Sequence, residues 1–401
     1  MTFTTTRRAA YASFVVQAIV NNLAPLLFVV FHARLGIDVA RLGLLAGLNF
    51  LVQLLTDLAA VKVVDRVGYR APMVLAHALA ALGLVLMALL PQLLASPFAG
   101  LCLAAVVYAI GGGLIEVLAS PVVEHLPAEP GRSKESGMTL LHSFYCWGQL
   151  SVVVASTALL TVLGMGAWWV LPLVWAAVPA VNAVLMTRVP VPATVPDHER
   201  TSLIGLVGSP VFLLVLLLMA AGGASELTMS QWSSFFAQQA TGVPKAVGDL
   251  LGPGLFALLM ALGRTAYGLL GERVPLRGAL IASGAGAAAC YVVTASSPAP
   301  AASLVACALT GLCVALMWPG ATSLAAARFP AGGGAMFAML ALAGGTASAG
   351  APGRLAALLP PDAGTGLRPA LLVCCLVPVV FAVSVWTVGR FSDTACSPAS
   401  D

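Results

Sequence analysis

A few ionisable side chains stand in stretches that are otherwise apolar: Asp57, Glu116, His142, Glu226 and Arg264. Placing a carboxylate in hydrocarbon costs about 2.5–3.5 kcal/mol on insertion scales, so such residues usually face a cavity and act there. A carboxyl in that setting can take up and release a proton. Asp57 and Arg264 occupy matching places in two halves of the chain with opposite signs. Glu116 lies in GGGLIEVLASPVV at 111–123, and Glu226 follows Gly222 and Gly223 in GGASELTMSQW at 222–232. Those glycines predict a loosened helix with freed carbonyls. At about 1.5 Å per residue, Glu116 and His142 fall at one depth, roughly 9 Å to the cytoplasmic side of their spans' midpoints, which predicts a shared chamber. Glu116 would be protonated when that chamber is dry and release its proton when it wets; the plainer reading is a neutral acid bonded between helices. Arg264 is expected to bind an anionic group or to hold a neighbouring carboxylate ionised. Asn22, Gln53 and Gln149 suit hydroxyl groups, although bonds between helices explain them equally well. Trp232 and Trp318 offer flat faces of the kind that stack on sugar rings, and would otherwise be interfacial anchors.

These residues need elements to hold them. The chain has 401 residues, 60% apolar and 8% charged, with a mean hydropathy of +0.99. Neither a water-soluble domain nor a disordered chain has that composition. A hydrocarbon core takes roughly 20 helical residues to cross. Apolar runs predict twelve spans, near 9–31, 41–62, 71–91, 98–122, 136–162, 167–187, 210–236, 249–270, 277–296, 300–325, 333–354 and 369–390. Runs such as 78–90 are apolar on every side, which excludes a β-barrel's alternation. The expectation is an all-α membrane protein. Most Lys and Arg, among them Arg7, Arg8, Lys62, Arg66, Arg70, Arg132, Lys134, Arg188, Arg200, Arg273, Arg277, Arg328 and Arg390, fall on one side. Arg34, Arg41, Lys245, Arg354 and Arg368 fall on the other. The positive-inside rule then places both termini in the cytoplasm and the chain in the cytoplasmic membrane as a multi-pass protein. The amino-terminal stretch shows no cleavable signal, so the first run is read as a retained span.

The Pro-rich segment 188–208 divides an N-terminal six-helix bundle, 1–187, from a C-terminal one, 209–390, leaving a cytoplasmic tail at 391–401. The bundles repeat. VVDRVGYRA at 63–71 matches LGERVPLRG at 270–278, pairing Asp65 with Glu272, Arg66 with Arg273 and Arg70 with Arg277. Two parallel six-helix repeats enclosing a midplane site are an architecture of secondary transporters. A net charge of +4 gives no argument for nucleic acid. The cysteines have no metal-type spacing, and no Gly-rich run is followed by Lys in the manner of an ATP loop. No metal, no cofactor, no catalytic constellation and hence no enzyme is expected.

The loop motif resembles that of the major facilitator superfamily, with Asp65, Arg66, Gly68 and Arg70 matching in the first copy and Glu272 and Arg273 in the second. The leading Gly is Val61 in the first copy and Gly268 in the second, where Pro275 replaces the later Gly. The resemblance implies that these residues gate the cytoplasmic side. More narrowly, 111–123 and TLLHSFYCWGQ at 139–149 resemble the fucose permease group of sugar–proton symporters, as do 222–232, WPGATSLA and GGTASAGAPG. That resemblance implies Glu116 as the proton-linked acid, with His142 and Tyr145 at sugar-contact positions. The group's first helix carries an acid shortly after paired Asn residues; here Asn21 and Asn22 are followed by Ala24 and Pro25. Glu226 is a candidate to replace it.

Together these readings predict a monomeric secondary transporter with a lipid bilayer around it and a small polar solute and protons as its partners. Glu116 and Glu226 would couple protons, and Asn22, His142, Tyr145, Gln149, Trp232, Arg264 and Trp318 would line the solute site. The alternative is a proton-driven exporter of drugs or hydrophobic metabolites.

Overall fold

The computed structural model describes residues 1–124, 126–127, 134–191, 206–270, 274–329, 336, 339–345 and 363–395; among them the structure is helical with short connections and no strand. In chain order the helices are α1 Phe3–Leu26, α2 Phe28–Leu35, α3 Val39–Val67, α4 Arg70–Leu93, α5 Pro97–Glu124, α6 Lys134–Leu163, α7 Val170–Arg188 and α8 Pro210–Thr241. They continue with α9 Lys245–Asp249, α10 Leu255–Leu270, α11 Leu276–Ser296, α12 Pro300–Val314, α13 Met317–Arg328, α14 Ala363–Cys374 and α15 Leu376–Ala395. The described residues contain 11 candidate spans by length and hydropathy, some made of two consecutive helices. The span expected at 333–354 lies mostly outside the described residues, with a helical piece at 339–345.

Proline and glycine set the punctuation. Ser209 caps α8, its hydroxyl accepting from Phe212 N at 3.4 Å with Pro210 at the first helical position. At the other end Gly242 closes α8 with φ at +73°, a left-handed turn that glycine adopts without a Cβ clash. Several spans drawn as unbroken from the sequence are interrupted instead. Leu27 separates α1 from α2 just after Pro25, and a π-helical turn, Leu250–Gly254, surrounds Pro253 between α9 and α10. A break at Ala315 and Leu316 precedes Pro319, and Cys375 separates α14 from α15. Proline has no N–H to give, so each of the three proline breaks leaves a carbonyl one turn earlier in need of another donor. The loosening expected at Gly222 and Gly223 does not occur: α8 runs straight through them. Gly222 provides close packing, since a Cβ there would come within 3.2 Å of Phe381 and 3.3 Å of Met317.

Helices before residue 190 pack mainly on one another: α1 on α5, α6 and α7, α3 on α5, and α4 on α5 and α7. Those after residue 209 do likewise: α8 on α12, α13 and α15, α10 on α12, and α11 on α12, α14 and α15. The two groups meet chiefly where α6 lies along α10 and α1 touches α8. The apolar window of α1 is 89% buried against 33% for α11, so α1 is central and α11 faces lipid. The first helix therefore has the polar residues best placed to line an interior.

Candidate functional site

Helical spacing gathers the interior polar groups. Gln17 and Asn21 lie one turn apart on α1, and Asn49, Gln53 and Asp57 lie at successive turns of α3, so each set shares a face. The two faces meet as a ladder of amides. Gln17 Nε2 donates to Gln53 Oε1 at 2.8 Å; Gln53 Nε2 donates to Asn21 Oδ1 at 2.8 Å and to Asn49 Oδ1 at 2.9 Å; and Asn49 Nδ2 reaches Asn21 Oδ1 at 3.2 Å. At its lower end Gln17 Nε2 also donates to Glu116 Oε2 at 3.1 Å. Glycines 112 and 113 of α5 admit this contact, because a Cβ on Gly112 would sit 3.1 Å from Gln17 Oε1 and one on Gly113 2.9 Å from Asp57 Oδ1. Glu116 thus faces the helical interior, half-buried, with the carboxyl of Asp57 nearby and its Oδ1 without a partner among the described residues.

A second centre is charged and joins the two groups of helices. Arg264 of α10 and Glu226 of α8 form an ion pair at 3.0 Å, with side chains 4% and 8% exposed. Arg264 Nε donates to Ala315 O at 3.0 Å. That carbonyl is the one Pro319 leaves free, since a normal residue at 319 would have bonded it four residues back. The remaining arm, Nη1, crosses to the carbonyl of His142 on α6 at 3.3 Å. The guanidinium sets three of its donors on acceptors from three segments of the chain, which fixes it beside the Glu226 carboxylate.

The other expected residues are distributed around these centres. Tyr145, one turn before the middle of α6, is buried, and its hydroxyl accepts from Asn22 Nδ2 at 3.2 Å. Gln149, one turn on, is buried with Nε2 unpartnered among the described residues. The ring of His142 meets Phe14 of α1 edge-on at 5.0 Å. Trp232 is fully buried and meets Phe28 and Phe235 in edge-type contacts, both at 5.9 Å, so it presents no open ring to a solute. Trp318 is half-buried and lies against Gly344, where a Cβ would come within 2.5 Å of the ring. His77 is a packed polar residue, fully buried with Nδ1 2.7 Å from Met73 O and Nε2 2.8 Å from Asn182 Nδ2.

Of the loop residues, Gly68 has φ at +80° and Arg70 donates to the carbonyl of Thr187, at the end of α7, at 2.7 Å. Asp65 and Arg66 lie in the last turn of α3, their side chains outside the described set, and Glu272 and Arg273 lie outside the described residues. No cluster of three or more metal-type ligands occurs among the described residues.

The sequence reading passed over Gln17, Asn49 and Gln231. Gln17 and Asn49 carried a signal, four-residue spacing from Asn21 and from Gln53. Gln231, buried with neither amide atom partnered among the described residues, carried none.

The end of the bundle opposite the amino terminus is fastened. Lys245 Nζ donates to Leu26 O at 3.0 Å and to both oxygens of Asp249, at 2.9 and 2.7 Å. Asp249, fully buried, also accepts from Thr157 of α6 at 3.1 Å and from Ser234. These bonds tie α9 to α1 and to α6.

A helical bundle crossing the bilayer many times, with polar side chains turned into its interior, defines a polytopic membrane transporter. The family model of the Major Facilitator Superfamily matches residues 9–352, and the chain belongs to that superfamily. No curated protein sequence matches it significantly. Among solved structures it is similar to the transporter FucP in its outward conformation, with a TM-score of 0.70 at 16% identity, covering 96% of this chain and 98% of that one. A single-residue variant of the E. coli fucose:proton symporter FucP gives 0.65 at 17% identity, with the same coverage. A bacterial homolog of the human lysosomal transporter Spinster, inward-facing and occupied, gives 0.73 at 15% identity and 98% of both chains. At these identities the likeness speaks for the fold.

Proposed function

We propose that this protein moves a small neutral polar solute, a sugar by class, together with protons, by alternating access between an N-terminal bundle at 1–187 and a C-terminal bundle at 209–390. The observation that carries the reading is the union of a proton-titratable acid with a hydrogen-bonding wall. Glu116 ends an amide ladder through Gln17, while Glu226 is held by Arg264 across from α6. When the chamber around Glu116 is dry, its neutral form is favoured; when water enters, the proton leaves, and the amides that share its network feel the change. Rotation of one bundle against the other alternates those conditions. Glu226 takes the place of the acid absent from the first helix, and Asn22, His142, Tyr145 and Gln149 contribute the solute-facing side of α1 and α6. Asp65, Arg66, Gly68 and Arg70, with Glu272 and Arg273, would fasten the cytoplasmic side in the opposite state. The similarity to a fucose:proton symporter supports this reading at the level of the fold.

The exporter alternative, for hydrophobic compounds, is less favoured by the interior: a wall of Gln and Asn side chains would have to be desolvated against an apolar ligand, leaving amides unpaired. Uptake by proteoliposomes, with and without an inward proton gradient, distinguishes the two. A panel of labelled L-fucose, D-galactose, D-glucose and D-mannitol is tested beside a cationic dye. Gradient-driven accumulation of one sugar or polyol is the expected result; dye extrusion with no sugar movement would reject the proposal.

A further inference from the structure

Gln17, Gln149 and Asn182 each leave one buried amide atom unpartnered among the described residues, and Gln231 leaves both. Its side chain is 1% exposed, and neither Oε1 nor Nε2 finds a partner among the described residues. Gln53 and Asn49 on α3, also buried, have both ends of their amides engaged or share them within the ladder. Buried polar groups are paired as a rule, so a carboxamide with both ends idle asks for a ligand.

Its surroundings say what kind. Gln231 borders two small crevices, each with room for roughly one water molecule, on either side of the α1 break at Pro25. In the first it faces Asn21, Asn49, Tyr108 and Phe28, and every other lining residue comes from helices α1 to α5, so Gln231 is what the second group of helices presents there. In the second it stands with Ser230 and Ser234 opposite Asn22. Among the described residues, no Asp, Glu, Lys or Arg lines either crevice. The charged pair begins at Glu226, five residues earlier and so about 7.5 Å lower along α8. The first crevice is thus lined by neutral groups alone, while the Lys245–Asp249 pair stands behind Leu26 and Ser234 of the second.

We infer that Gln231 is the specificity-determining contact for the solute, its amide gripping two neighbouring hydroxyls of a neutral sugar or polyol. Oε1 accepts from one hydroxyl while Nε2 donates to the oxygen of the next. An ionic group in the first crevice would meet no counter-charge among its lining residues, and an apolar one would leave the amide unpaired. A site built to hydrogen-bond a hydroxyl discriminates strongly against the analogue that lacks it, because its own polar groups are then stranded. The inference rests on the reading of the solute as small, neutral and polar, and goes beyond it by assigning the discrimination to one residue.

The test uses the full chain in detergent and in proteoliposomes. Melting temperature is measured with and without L-fucose, D-galactose, D-glucose and D-mannitol, and counterflow is measured for the compound giving the largest shift and for its deoxy analogues. Gln231→Met keeps the length of the side chain and removes both idle atoms. It is expected to melt at the same temperature as the parent or higher, to lose the solute-induced shift, and to raise KM in counterflow at least roughly tenfold with a smaller effect on maximal rate. Gln231→Asn is expected to fold and to show the same affinity loss through a shortened reach, so the result does not hang on one variant. An unchanged solute-induced shift in both variants overturns the inference, as does a lower melting temperature with affinity retained, which would mark Gln231 as structural. If the parent protein itself shows neither shift nor counterflow with any of the four compounds, the solute class fails and takes the inference with it; binding by the parent that is indifferent to Gln231 sinks the inference alone.

Discussion

Lys245–Asp249 and Glu226–Arg264 are both ion pairs within the second group of helices, and both reach across to the first, yet they are built on different plans. The Lys245 pair is local, four residues apart, so helical geometry holds it whatever the neighbouring helices do. Its ties to the other group, from Lys245 to Leu26 O and from Thr157 to Asp249, can break without stranding either charge. The Arg264 pair joins two helices 38 residues apart in the chain and adds carbonyls from two more elements. Neither of its charges has a local substitute. The first has ties that can part without stranding a charge, as a latch would need; the second is a junction with no local substitute.

That contrast is sharpest under mutation. Removing one partner of the junction by Arg264→Met leaves Glu226 charged and buried. A loss of about 3–5 kcal/mol in stability is expected, with transport abolished. Combining it with Glu226→Gln should recover most of the stability and none of the coupled transport, as read by thermal unfolding and by gradient-driven uptake. Full recovery of coupled uptake in the double variant would show that the pair serves packing alone.

At the latch the effect is smaller. Lys245→Met removes the donor to Leu26 O and the cation beside the fully buried Asp249, which keeps its bonds from Thr157 and Ser234, so a loss of about 3 kcal/mol, the low end for a stranded buried charge, is expected. The accompanying change is conformational: the distance between spin labels at the exposed positions Arg34 and Val247 should lengthen in Lys245→Met and stay unchanged in Arg264→Met. An unaltered distance distribution would mean that the bonds to Leu26 and Thr157 do not hold that end shut.

The smallest expected effect tests the amide ladder. Alanine in place of glycine within a helix ordinarily stabilises by up to about 1 kcal/mol. At Gly113 the sign should reverse, because the added Cβ would sit 2.8 Å from Gln53 O and 2.9 Å from Asp57 Oδ1. Overpacking of this kind costs roughly 1–3 kcal/mol, and a melting temperature that rises in Gly113→Ala would show that α5 is not pressed against α3 there.

Much of this was legible in the residues. Apolar runs marked most of the spans, and the rarity of charge within them drew attention to Glu116, Glu226 and Arg264 as interior groups. The idea that Arg264 holds a carboxylate was readable from its isolation, but its partner was not, since chain distance gives no hint that residue 226 lies beside residue 264. The breaks at Pro25, Pro253 and Pro319 were visible as prolines and were smoothed over because hydropathy averages across them. Their consequence, a carbonyl at Ala315 offered to Arg264, belongs to three-dimensional packing. Trp232 shows the limit in the other direction: an aromatic ring in an apolar helix reads alike whether it faces a solute or, as here, is closed in by Phe28 and Phe235. Gln231 gave no periodic signal, and only the absence of a hydrogen-bond partner among the described residues sets it apart.

The measurement that bears most directly on proton coupling is proton movement on addition of solute to proteoliposomes carrying a pH-sensitive dye. The parent protein should carry protons in the same direction as the solute, and Glu116→Gln should exchange solute across the membrane in counterflow without moving protons or accumulating solute against its gradient. Accumulation by Glu116→Gln at the parent's level, with proton movement intact, would contradict the assignment.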